Sequence, residues 1–216
     1  MLPYIEEQAL YEQMAPGNNS EGVAQGDAPT ADNGLQAHIA AYRCPSDTSS
    51  RTTNPLSQFQ LDGRQFGISN YVMSEGVVQW IPNNPVYSFA SVTDGLSNVM
   101  LFSERASRNH IAAIWPGRRT TTAAQGFRVP RPPNALRCPN TDDCMGGPCI
   151  RYDVSSEHPG GVQVTLVDGS VRFINNDIES AYRLNRCGDY PNDAEAENFV
   201  YQNLYSPRAD FPLKSF

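Results

Sequence analysis

The run His158-Pro-Gly-Gly-Val-Gln-Val-Thr-Leu-Val-Asp-Gly-Ser-Val-Arg-Phe-Ile174 leaves the chain little choice of local fold. Apolar and polar residues alternate up to Asp168-Gly169 from both sides. Asp-Gly is the dipeptide a two-residue type I′ turn favours, because both central residues take positive φ. The stretch predicts a β-hairpin over residues 162–174. With Val167 opposite Ser170, Leu166 meets Val171, Thr165 meets Arg172 and Val164 meets Phe173, so the two strands agree on which face is buried.

His158 and Asp168 invite comparison with a hydrolase pair, in which an aspartate orients an imidazole. Strand length argues against it. At roughly 3.3 Å per residue, the nine residues between them hold the two side chains ~20–30 Å apart, less whatever Pro159-Gly160-Gly161 folds back. The expectation is that His158 satisfies backbone groups where the chain enters the hairpin and that Asp168 builds the turn.

The same spacing, His-X9-Asp-Gly, resembles the C-terminal, processing-associated signature of a large family of bacterial prepilin-like (pseudopilin) proteins, which has also carried a solute-binding label. Other segments are similar to that family in the same order: Leu2-Pro-Tyr-Ile-Glu-Glu-Gln-Ala-Leu-Tyr11, Tyr42-Arg-Cys-Pro-Ser-Asp47, Ser69-Asn-Tyr-Val72, and Val92-Thr-Asp-Gly-Leu-Ser-Asn-Val-Met-Leu101 followed by Glu104. Each motif is short, but five in order span residues 2–174. The motif residues carried over are His158, Gly160, Gly161, Asp168 and Gly169. The resemblance implies an α+β, pilin-like head: a short N-terminal helix packed on an antiparallel β-sheet, loop-rich, with the hairpin near the C-terminus. In that family a long apolar helix comes before the segment that begins here at Leu2; the given chain resembles a head domain that lacks that helix, and membrane contact is expected only through it. The expected role is a structural subunit of a type IV pilus-like or type II secretion-like filament, at the periplasmic face, cell surface or in an extracellular filament. Its expected partners are copies of itself or other pilin-like subunits.

Composition sets the outer bounds. A chain of 216 residues suits one domain, 1–216, with an irregular C-terminal lobe at 187–216. A mean hydropathy of -0.48 leaves no stretch apolar enough to cross a membrane within the sequence. The net charge of -7 and the pI near 4.9 argue against nucleic-acid binding, which asks for a basic stripe. Arg118, Arg119, Arg128 and Arg131 form the longest basic feature and read as a solvated loop face.

Five cysteines, Cys44, Cys138, Cys144, Cys149 and Cys187, point to an oxidising compartment and a disulfide-braced loop, with the odd count leaving one thiol over. A zinc set of Cys138, Cys144, Cys149 and His158 lacks a Cys-x-x-Cys knuckle and is set aside. Asn140, Asp142 and Asp143 are oxygen donors of the kind calcium takes. The resemblance supports a structural calcium there, because many pseudopilin heads carry one in a C-terminal loop. No other cofactor is expected.

Along the chain, Ile5, Ala9, Leu10, Tyr11 and Met14 recur at helical spacing and predict a helix over 2–14. Strands are expected at 68–72, 98–104 and 111–115, with Thr93 or Asp94 capping the segment after Gly95. A second short helix is expected at 178–186. Asp94 and Glu104 are the acidic residues worth weighing as ligands, yet no histidine stands at a telling spacing from either. The tail aromatics Phe199, Tyr201, Tyr205 and Phe211 fit a subunit contact or packing on their own domain equally well. No Gly-x-Ser-x-Gly, His-Glu-x-x-His or phosphate loop is present, so the chain reads as no enzyme. The alternative to a structural subunit is an extracytoplasmic solute- or glycan-binding module, with Trp80 and Trp115 as stacking surfaces.

Overall fold

The computed structural model describes residues 2–14, 32–78, 88–107, 112–116, 126–129, 131–135, 152–180 and 199–207. It is a loop-rich α+β fold with two sheets. The strands are β1 (Ile68–Ser69), β2 (Tyr71–Ser74), β3 (Met100–Glu104), β4 (Ala113–Ile114), β5 (Gly126–Phe127), β6 (Gly161–Leu166) and β7 (Val171–Asn175). The larger sheet has the order β5-β2-β3-β6-β7, antiparallel except for the β2–β5 pair, and β1 pairs with β4 in a small ladder.

The hairpin forms, but its register is one residue away from the expected one. Val171 lies opposite Thr165, Arg172 opposite Val164 and Phe173 opposite Gln163. The turn is a three-residue loop, Val167-Asp168-Gly169, in which Gly169 has φ +86° and Asp168 is not in the positive-φ region. Asp168 accepts bonds from the backbone N–H (2.8 Å) and hydroxyl (2.6 Å) of Ser170. The physical reason for the longer loop is Val167. Its N–H donates to the Val99 carbonyl at 2.9 Å and its side chain is buried with Val92 and Val99, so it cannot also pair with Ser170. Because side chains alternate with period two, this slip moves the whole apolar set of β7. Only Ile174 of that strand is buried, while Val171 is 64% and Phe173 41% exposed.

The inner face of the large sheet carries Val72, Met100, Val162, Val164, Leu166 and Ile174, with Phe127 packed among them. Helix α2 (Val200–Asn203) closes this core, burying Val200, Tyr201, Leu204 and Tyr205, and the Met100 N–H donates to the Leu204 carbonyl at 2.7 Å. Each such side chain contributes roughly 1.5–3 kcal/mol of burial. The tail aromatics Tyr201 and Tyr205 thus pack on their own domain. A second cluster joins Leu35, Leu56, Phe59, Phe66, Ile114 and Tyr152.

The N-terminal segment breaks into a 3-10 turn, Leu2–Ile5, and helix α1 (Gln8–Gln13), because Glu6 between them takes φ +65°. Leu10 and Met14 pack on Ile39 and Trp115, beside the β1–β4 ladder. Expected strand 68–72 is two strands bent at Asn70, 98–104 shortens to β3, and the described part of 111–115 holds β4. Gly95, with φ +91°, stands at the cap of the turn Leu96–Asn98 in place of Thr93 or Asp94, and no side chain caps it. Residues 178–180, the described part of the expected second helix, are not helical.

Candidate functional site

The motif segments converge at the end of β3. Glu104 is the last residue of that strand, Cys44 sits in the turn that begins Cys-Pro-Ser-Asp, and His158 stands where the chain enters β6. His158 Nε2 lies 3.1 Å from Glu104 Oε1 and 3.5 Å from Cys44 Sγ. The three donor atoms all fall within 4.8 Å of one another. Cys44 and Glu104 are buried and the His158 side chain is 26% exposed. Burial pushes the Cys44 thiol pKa up, with the Glu104 carboxylate acting in the same direction.

Each member is held from behind. The Glu104 carboxylate accepts the Gln163 N–H at 2.8 Å on its second oxygen. His158 Nδ1 lies 3.3 Å from the Ser46 hydroxyl, and the His158 N–H donates to Ser156 Oγ at 3.1 Å. Cys44 is fixed through Asn70, whose Oδ1 accepts the Cys44 N–H at 3.1 Å. The two N–H groups of the Asn70 amide are shared among three acceptors, Asp47 Oδ2 (2.5 Å), the Arg105 carbonyl (3.0 Å) and Ser107 Oγ (3.1 Å). Asp47 in turn accepts the N–H groups of Ser107 (2.7 Å) and Ser49 (3.0 Å). Burial alone would push the Asp47 carboxyl up, but these bonds together hold it below its ordinary value.

Behind this junction lies a buried charge cluster. Arg105 is fully buried and donates to the carbonyls of Asp153 (3.0 Å) and Gly126 (2.7 Å). Burial lowers its pKa to about 10, against the opposing pull of Asp153 and Glu75, so it stays charged at neutral pH. Arg131 forms an ion pair with Asp153, and Arg128 pairs with Glu75 at 2.8 Å while its guanidinium stacks 4.3 Å over the Tyr152 ring. Arg128 and Arg131 are therefore not a solvated basic face. Their charges are matched in the interior, where an unpaired guanidinium would be costly.

His158 and Asp168 occupy opposite ends of β6 and do not meet. Gly160 takes φ +83° at the hairpin entry. A Cβ on Gly161 would collide with the Ile174 carbonyl and stand 2.7 Å from the Phe173 ring. Glu104, which sequence spacing leaves without a histidine, has His158 as its partner. Asp94 instead offers its carbonyl to the Asn98 side chain at 2.9 Å. Trp115 is structural: its indole N–H donates to the Ala37 carbonyl at 2.9 Å and its ring packs on Tyr42. Cys44 is a buried free thiol. Cys138, Cys144, Cys149, Cys187, Asn140, Asp142, Asp143, Trp80, Arg118, Arg119 and Phe211 lie outside the described residues. Sequence reasoning missed Asn70, Ser46 and Arg105 as organising residues. The signal within reach was that Ser69-Asn-Tyr and Cys-Pro-Ser-Asp each resemble a family motif, which marks them without revealing that they touch.

The arrangement differs from a nucleophile relay. In such a relay the base faces the nucleophile with one ring nitrogen and its orienting acid with the other. Here thiol and carboxylate both address Nε2, and Nδ1 faces a serine hydroxyl. Three donors converging on one point are suited to holding a cation. Among the described residues, no helix is long and apolar enough to cross a membrane.

Residues 1–181 match the model of a family described as a protein of unknown function, DUF1559, labelled SBP_bac_10. No curated protein and no solved structure matches the chain.

Proposed function

This chain belongs to the DUF1559 family, and from that premise we propose that it is an extracytoplasmic, pilin-like structural subunit that acts by assembly. The observation that carries the reading is the outer face of the large sheet. Strand pairing puts Tyr71 and Met73 of β2, Phe102 of β3, and Val171 and Phe173 of β7 on that face. Tyr71, Val171 and Phe173 are exposed, and Met73 and Phe102 are half-buried. Large apolar side chains on β2 and β3 and on the edge strand β7, flanking Gln163 and Thr165 of β6 on the same face, are the mixed composition of a surface that becomes buried on association. The occupant is a pilin-like subunit, either a second copy or a relative. The solute-binding alternative is the weaker reading, since Trp115, assigned there to a stacking groove, is engaged with Ala37 and Tyr42.

Phe173→Glu in the native protein, in its source cells, tests this reading. The side chain is 41% exposed and its ring rests on Gly161, so the variant is expected to fold with a modest fall in melting temperature and to disappear from the sheared-surface fraction. Recovery of Phe173→Glu in that fraction at the wild-type level overturns the proposal.

A further inference from the structure

We propose that Cys44, Glu104 and His158 form a zinc site. The inference stands on geometry and is independent of the assembly reading. Zinc takes a thiolate at about 2.3 Å, an imidazole nitrogen at about 2.0–2.1 Å and a carboxylate oxygen at about 2.0–2.2 Å. With tetrahedral angles these lengths place neighbouring donor atoms about 3.3–3.6 Å apart. The observed separations are 3.5 Å for Cys44 Sγ to His158 Nε2 and 3.1 Å for His158 Nε2 to Glu104 Oε1. Two edges thus stand within tenths of an ångström of those of a coordination tetrahedron, and the third, from Cys44 Sγ to the Glu104 carboxylate, is no longer than 4.8 Å.

A hydrogen-bonded cluster without a metal would explain the short contacts, and the outer partners are those that a metal site also requires. A metal-bound histidine characteristically engages its second nitrogen with an oxygen, and ligating carboxylates are themselves hydrogen-bonded. Both features are present: Ser46 Oγ faces Nδ1, and the Gln163 N–H holds the other oxygen of Glu104. The three ligands come from separate segments of chain, each fixed by its own bonds, so the site is preorganised.

The donor set selects the metal. One sulfur, one nitrogen and one oxygen suit a borderline-soft cation such as zinc, whereas calcium and magnesium take oxygen alone. Three protein ligands with the histidine partly exposed leave the fourth position to water. Binding converts the Cys44 thiol to a thiolate and releases its proton to solvent, so affinity rises with pH. The ion would tie the Cys-Pro-Ser-Asp turn, the end of β3 and the hairpin entry together.

The test is titration of the chelator-treated protein with Zn2+, and with Co2+ as the spectroscopic probe. The other four cysteines could also bind metal, so the readout is the difference between variants. Wild type is expected to show thiolate-to-cobalt charge transfer and a zinc-dependent rise in melting temperature. Cys44→Ser and His158→Ala should each weaken the corresponding binding step by at least about 100-fold, beyond the range for loss of an outer partner. Ser46→Ala should weaken it by about 10-fold, as an outer-shell change does. His158→Ala alters a partly exposed side chain, so it stays informative if Cys44→Ser fails to fold. Equal cobalt spectra and equal zinc shifts in wild type and His158→Ala overturn the proposal, as does a wild-type protein that binds neither ion at micromolar concentration.

Discussion

Asn70 is fully buried, and its side chain bonds to four groups in two other segments of the chain. Replacing it with alanine takes a partner from the Cys44 N–H, from Asp47 Oδ2, from the Arg105 carbonyl and from Ser107 Oγ. Asp47 keeps the Ser107 N–H, and the serine hydroxyl can rotate, so two buried backbone groups carry most of the loss. At roughly 1–3 kcal/mol for each buried group left without its bond, Asn70→Ala should cost about 2–6 kcal/mol. For a protein of this size each 1 kcal/mol lowers the melting temperature by roughly 2–4 °C, so a fall of about 4–24 °C is expected. Asn70→Asp separates bonding from mere volume. It preserves shape and the acceptor for Cys44, but it sets a carboxylate against Asp47, where the distance is now 2.5 Å. It should be at least as damaging as alanine at neutral pH, and Asp47→Asn in the same chain should restore part of the loss. Urea denaturation followed by circular dichroism measures all four proteins. A cost below about 1 kcal/mol for Asn70→Ala, or an aspartate variant more stable than the alanine one, would refute the network as the clamp on this turn.

Two further outcomes are expected. Gly161→Ala must push apart the Ile174 carbonyl and the Phe173 ring, and overpacking of this kind costs about 1–3 kcal/mol; an unchanged urea midpoint would show that the hairpin entry yields freely. Asp47 has a folded-state pKa below its ordinary value of about 3.9, so its contribution is present above that pH and is lost as pH falls through the folded value. Asp47→Asn should flatten the acid limb of melting temperature against pH below about pH 4, and an acid limb as steep as wild type would contradict the assignment.

The hairpin was legible because Asp168-Gly169 and the alternation around it are local. Its register was not, because the same dipeptide serves a two-residue turn or a three-residue loop that ends in a left-handed glycine. Val99 and Val92, distant in sequence, decide between them by capturing Val167. The site shows the same division. His158, Glu104 and the Cys44 turn were each visible as motif pieces, but sequence spacing reports contact only along one helix or hairpin. These three meet through the order of strands in the sheet. The buried pairs of Arg128 and Arg131 were misread for a related reason: their partners Glu75 and Asp153 lie in other segments.

The nine-residue interval between His158 and Asp168 has a physical source in β3. That strand runs beside β6 in the opposite direction, with Leu166 opposite Met100 and Val164 opposite Ser103. At one end of β3, Glu104 receives the His158 imidazole; just beyond the other, the Val99 carbonyl and the Leu96 carbonyl accept the N–H groups of Val167 and Asp168. Both ends of the His-to-Asp segment are therefore pinned to one neighbouring strand, and the interval is the length of chain that reaches from one pin to the other. Adding or removing one residue would break a pin or turn Val162, Val164 and Leu166 to the outer face. Glycine stands at Gly160 and Gly161 for the companion reason: positive φ at the first and a missing Cβ at the second let the chain swing the imidazole back toward Cys44 while Phe173 lies against the backbone. The spacing thus measures β3, and the glycines aim the histidine.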